Sequence, residues 1–195
     1  MSSRETSRAF TPSPILLSQV PRTRDIDVLI GVMLTTNPAV PLRRKYDVAV
    51  RMKNYLPMYV YASLLRIAMA VAGKEAVEAE LAPGAGGSEE AVRGLGLARR
   101  ILRDLYRRIA ENLERLKEAS PELDLKSPPA LDDAWFDGKK LLDLVDALSE
   151  AISDYYISEV AKWERERDML MFAYASGVLA AAIIDPIRAV ESKLS

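Results

Sequence analysis

Apolar residues recur at three- and four-residue intervals along most of the chain, and no stretch alternates with the period of two that a half-buried strand requires. The clearest stripe is Leu102, Leu105, Ile109, Leu113 and Leu116, which predicts an amphipathic helix ending near Ala119. Its start is marked by Ser88-Glu89-Glu90, an N-cap hydroxyl followed by a negative first turn, after the flexible break Pro83-Gly84-Ala85-Gly86-Gly87. Upstream, Asp25 to Thr36 suits a short helix with Val28, Leu29, Val32 and Met33 on one face, ended by Asn37-Pro38. A second helix is expected from about Tyr46 to Ala72. Pro57 should kink it or divide it, because its ring removes an amide donor and crowds the preceding turn. From Met58 to Ala72 this helix is almost wholly apolar, with Arg66 as its single charge.

After a proline-rich connection, Ser120-Pro121 through Ser127-Pro128-Pro129, a long helical segment is predicted from about Asp132 to Arg167. Leu141, Val145, Leu148, Ile152, Tyr155 and Trp163 fall inward, while Asp143, Asp146, Glu150, Asp154 and Glu159 cover much of the other side. An apolar helix that tolerates Gly177 follows, and Asp185-Pro186 predicts a break before a short tail helix. The expected fold is all-α: a bundle of about four to six helices with an extended basic N-terminal arm and a proline-kinked helix. The arm, with one short helix, occupies residues 1–45 and the bundle residues 46–195.

Composition removes much of enzymology. Among 195 residues there is no Cys and no His. Disulfides, Cys/His zinc sites, thiolate nucleophiles and Ser-His-Asp or Cys-His machinery are therefore absent. One Gln, three Asn and an excess of Arg over Lys, 18 to 9, fit selection against thermolabile side chains and a host living at high temperature. No apolar segment follows the first residues as a secretory signal would require. The longest uncharged run, Met169 to Ile184, has 16 residues, short of the roughly 18 of a spanning helix, and reads as a buried helix.

The net charge of −1 hides an asymmetry: residues 1–74 carry 11 basic and 4 acidic groups, residues 75–195 carry 16 and 24. Such a division marks either a polyanion-binding arm on an ordinary body or two parts that attract each other within one fold. Residues 1–24 read as an extended arm, since Pro12, Pro14 and Pro21 interrupt helix and Arg4, Arg8, Arg22 and Arg24 are spaced along it. Ile15-Leu16-Leu17 offers an apolar anchor. Arg43-Arg44-Lys45 leads into the second helix, whose first half carries Arg51 and Lys53. In the Ser88–Ala119 helix, Arg93, Arg100 and Arg107 recur every seven residues and Arg99, Arg103 and Arg107 every four. Guanidinium groups suit bidentate, sequence-independent phosphate contact. The alternative for this face is pairing with Glu89, Glu90, Glu111 or an acidic neighbouring helix.

Other chemistry is set aside. Gly94-x-Gly96 lacks the third glycine and the preceding strand of a dinucleotide fingerprint, and Gly73-Lys74-Glu75 lacks the Ser/Thr and upstream glycine of a phosphate loop. Asp132, Asp133, Asp137, Asp143 and Asp146 are the one carboxylate cluster suited to Mg²⁺, but helix-start charge and a solvated face account for them. Tyr55, Tyr59, Tyr61, Trp135, Tyr155, Tyr156 and Trp163 read as packing residues rather than base-stacking platforms. No catalytic group, cofactor or metal is expected, and the chain does not read as an enzyme.

A basic, proline-punctuated arm leading through a kinked helix into an apolar helical body resembles the major coat proteins of filamentous viruses of hyperthermophilic archaea. The resemblance covers residues 1–74 and, loosely, the body, and rests on organisation and composition. It implies a structural protein whose subunits pair, wrap double-stranded DNA held in A-form and pack into a helical filament within a virion. Partners would be duplex DNA and further copies or a related coat subunit, with no small-molecule substrate and no membrane. The acidic segment from Asp132 onward departs from a simple DNA wrapper and falls outside the DNA path. A second expectation is a small helical subunit of an archaeal CRISPR effector complex in the host cytoplasm.

Overall fold

Seven α-helices and no strand make up the residues described by the computed structural model, 23–82 and 87–194, with side chains from Val28 onward. In chain order they are α1 (Thr23–Thr36), α2 (Leu42–Ala72), α3 (Lys74–Leu81), α4 (Glu89–Ala119), α5 (Asp133–Asp137), α6 (Leu141–Arg165) and α7 (Met169–Leu194), with a 3₁₀ turn at Pro121–Leu123. The all-α bundle expected from the periodicity is what the chain forms. Arg4, Arg8, Arg22, the Ile15-Leu16-Leu17 anchor and the side chain of Arg24 lie outside the described residues.

The most apolar helices occupy the middle. α2 and α7 are the most extensively packed pair, α4 and α6 each pack against both of them, and α4 and α6 barely meet. In cross-section the four long helices thus form a rhombus with α2 and α7 on its short diagonal. Both central helices contain 18-residue stretches as apolar as a membrane span, and burial between neighbours accounts for most of the stretch in α7. Leu56, Leu64, Leu65, Leu102, Ile109, Leu148 and Phe172 are fully buried in the shared core. Each such side chain contributes on the order of 1.5–3 kcal/mol.

The connection from Ser120 to Lys140 runs back along the bundle and closes the gap between α4 and α6. It is held by apolar plugs, Leu123, Leu125 and Phe136, and by two tyrosine hydroxyls that donate to its carbonyls. Tyr155 bonds to Lys126 O at 2.7 Å, and Tyr106 bonds to Pro129 O. Glu159, only 3% exposed, accepts from the Lys126 amide at 3.3 Å and faces Lys162 Nζ at 3.1 Å. A buried carboxylate is tolerable there because both groups compensate its lost hydration.

Several boundaries differ from the sequence reading. α2 is one continuous helix of 31 residues through Pro57, since packing on α4, α6 and α7 along its length outweighs one missing hydrogen bond. Its first turn already includes Arg43, Arg44 and Lys45. α7 likewise continues through Pro186, which is buried, so the predicted tail helix is not separate. The segment Asp132–Arg167 is interrupted at Gly138-Lys139-Lys140, which leaves the five-residue α5 ahead of α6. α3 has no counterpart in the sequence pattern; it follows Gly73, whose φ of 86° is in the left-handed region that suits glycine. Finally, α1 docks on α2 and α7 through Val28, Gly31 and Thr35, whereas Met33 points outward at 70% exposure. Gly31 allows that approach, because a Cβ there would sit 3.1 Å from Met52 Sδ.

Candidate nucleic-acid interface

The basic residues fall into three groups with different surroundings. At the start of α2, Arg43 and Arg44 are exposed and Lys45 is half-buried; Arg51, two turns further, is exposed as well. None of the three arginines has an ion-pair partner among the described residues. Asp47 lies on the same side of the helix but forms no salt bridge with them. Among the described residues no side chain caps the first turn of α2, which Pro41 precedes, so the positive end of the helix dipole adds to the arginine charge. Lys53 belongs elsewhere: it pairs with Glu164 and ties α2 to the end of α6.

Beside these arginines is a groove of about 220 Å³ between α1 and α2, lined by Ile30, Gly31, Leu34, Val48, Arg51, Met52 and Tyr55. Ile30 and Met33 on α1, and Val50 and Met58 on α2, are exposed. The surface therefore joins cationic and apolar groups, and arginine stems can lie along such a surface while their heads reach an anion.

On α4 the seven- and four-residue repeats separate. Arg99 donates to Lys139 O at 2.9 Å and Arg103 lies 3.3 Å from Asp133 Oδ1. Both side chains turn toward the 120–140 connection, and the Nε atom of each is buried without a hydrogen-bond partner among the described residues. Arg100 and Arg108 point to solvent. Arg107 makes a loose pair with Asp104 at 3.7 Å while 63% exposed, and Arg93 pairs with Glu89 at 3.3 Å while 74% exposed. Such exposed pairs contribute ~0–1 kcal/mol and do not tie the arginines up. Arg99 and Arg103 thus brace the α5 region, and Arg93, Arg100, Arg107 and Arg108 form the outward face.

The aspartates considered for metal binding have separate settings. Asp132 caps α5 by accepting from the Trp135 amide at 2.8 Å, Asp133 meets Arg103, and Asp143 and Asp146 face solvent on α6. Among the described residues no cluster of three or more carboxylates converges. Burial displaces tyrosine titrations: it pushes the Tyr106 hydroxyl up to about 12 and raises Tyr155 and Tyr156 further. Tyr61 is raised by burial and by the charge of Asp146. These hydroxyls secure the interior and remain protonated at neutral pH.

Contacts that the sequence reading missed are long-range. Arg66 approaches Glu191 at 3.6 Å between α2 and α7, Asn112 donates to Ala182 O at 3.2 Å, and Glu80 accepts from the Leu141 amide at the start of α6. No local spacing announces any of them. No family model, curated protein or solved structure matches the chain.

Proposed function

We propose that this protein is a structural, sequence-independent nucleic-acid-binding subunit that coats double-stranded DNA and self-assembles into a filament. The observation that carries the reading is the set Arg43, Arg44 and Arg51: exposed, on one side of α2, and without an acidic partner among the described residues. They belong to the basic first 74 residues. Guanidinium groups at a helix start suit phosphate oxygens and read no base edges. Arg100, Arg107 and Arg108 form a separate cationic face on α4, left for contact between copies, while Lys53, Arg99 and Arg103 support the fold. On this reading the protein is not an enzyme, needs no cofactor, and resides in a virion of a virus of a heat-loving archaeon.

A subunit contacting a handful of phosphates binds weakly alone, and packing between copies supplies the rest of the affinity. Binding of the full-length protein to two unrelated linear duplexes, measured across a salt series, tests the reading. Equal affinities and a linear fall of log K with log salt are expected; marked sequence preference, or no binding at low salt, overturns it.

A further inference from the structure

The outward faces of α4 and α6 carry opposite charge and lie on opposite sides of the bundle. α6 turns Asp143, Asp146, Glu150 and Asp154 to solvent at one-turn intervals, a ridge about 16 Å long with no basic residue within it. None of these four carboxylates makes an ion pair among the described residues. α4 presents Arg100, Arg107, Arg108 and Arg115 over about 22 Å, interspersed with Asp104 and Glu111. Because α2 and α7 take the short diagonal, the two faces point away from each other and cannot neutralise one another within one molecule.

Their directions also agree. The residues just before α6 meet Arg99 in the first half of α4, and those just after α4 meet Glu159 in the second half of α6, so the two helices run the same way. A second copy displaced along the long diagonal therefore sets its α6 beside the first copy's α4, parallel and over comparable lengths. Half-buried Ala147 and Ala151 between the carboxylates, and exposed Leu97 beside Arg93 and Arg100, allow close approach.

We infer that the acidic face of α6 docks on the arginine face of α4 of a second copy. The contact is heterologous, so it propagates into an open row rather than closing a dimer. It deepens the self-assembly half of the proposed function and rests on that half; duplex binding by α2 does not enter it. Opposed charged faces make the association salt-sensitive, since exposed charges are screened within about 8–10 Å at ordinary ionic strength.

The test is sedimentation velocity on full-length protein freed of nucleic acid, in 50 and 500 mM NaCl. Concentration-dependent association at low salt that dissolves at high salt is expected; a monomer under both conditions overturns the inference. Two charge-reversed proteins extend it, Glu150→Lys/Asp154→Lys and Arg100→Glu/Arg107→Glu. Each alone should be monomeric at low salt, and their equimolar mixture should associate, because each reversed face then meets its complement on the other protein. A mixture that stays monomeric, or single proteins that associate like the wild type, contradicts it. Should either reversal unfold the protein, the neutral Glu150→Gln/Asp154→Asn must still weaken association at least threefold, and wild-type association refutes the docking. That neutral protein should bind a duplex short enough for one subunit with unchanged affinity. Loss of association with duplex binding intact, or the reverse, separates this contact from the nucleic-acid reading.

Discussion

The Arg103 guanidinium lies 3.3 Å from the Asp133 carboxylate, which ties the start of α5 to the middle of α4. With Arg99 bonded to Lys139 O on the preceding turn, the pair fixes both ends of α5. Replacing Arg103 with Ala should therefore cost about 1 kcal/mol, a Tm lower by a few degrees, through the lost pair and the lost packing of its stem. Duplex affinity should stay at the wild-type value. Thermal melting followed by circular dichroism and a fluorescence binding titration check the two halves; a large loss of duplex affinity at unchanged Tm would reassign Arg103 to the binding surface.

The arginines of α2 should behave in the opposite way. Arg43→Ala/Arg44→Ala/Arg51→Ala should leave Tm within a degree or two, because the three side chains are exposed. Duplex binding should weaken equally for all sequences, and the salt slope should flatten by roughly 2–3, about 0.9 for each phosphate contact removed. An unchanged slope contradicts their assignment to phosphate.

Gly177 of α7 faces Thr35 of α1. A Cβ at Gly177 would overlap Thr35 Oγ1 and lie 3.1 Å from Thr35 Cβ, while Thr35 Oγ1 is held by its 2.8 Å bond to Gly31 O. Gly177→Ala is expected to destabilise by roughly 1–3 kcal/mol, as overpacking does. In a Thr35→Ala background the same change should cost less, because the overlapping atom is gone. A double-mutant cycle in denaturant measures the coupling; additive effects would mean the helices shift apart freely.

Alkaline pH should destabilise the fold. The hydroxyls of Tyr61, Tyr106, Tyr155 and Tyr156 are all raised above 10 in the folded state. A raised value means that the folded protein holds the proton more tightly, so the contribution is complete below pH 10 and is lost as pH rises from 10 to about 12. Denaturant melts at pH 8, 9, 10 and 11 should show stability level to about pH 9.5 and falling beyond it. Tyr106→Phe should reduce the fall; stability that held to pH 11 would contradict the burial of these hydroxyls.

Local signals in the chain announced most of the helices. The α4 stripe from Leu102 to Leu113 is buried as its spacing required, and Ser88 caps that helix by accepting from the Ala91 amide at 3.1 Å. Where local and tertiary preferences conflict, packing decides: α2 and α7 run through Pro57 and Pro186, each flanked by buried residues, Leu56 and Tyr59 in α2 and Ile184 and Ile187 in α7. Met33 faces outward although its spacing places it with Val28 and Val32, because helical spacing alone does not distinguish a large apolar side chain from the small Gly31 and Thr35 that permit close helix contact. The arginine periodicity of α4 identified a charged face but could not divide it. That division depends on the return path of residues 120–140, which no repeat in α4 encodes.

We propose that a cationic front end grips duplex DNA while the helical body joins copies. Negative-stain electron microscopy of the purified protein, with and without linear duplex, examines both parts at once. Regular filaments whose length follows that of the added duplex are expected at low salt, dissolving at high salt. Dispersed particles in both samples, at a protein concentration sufficient to saturate the DNA, would contradict it.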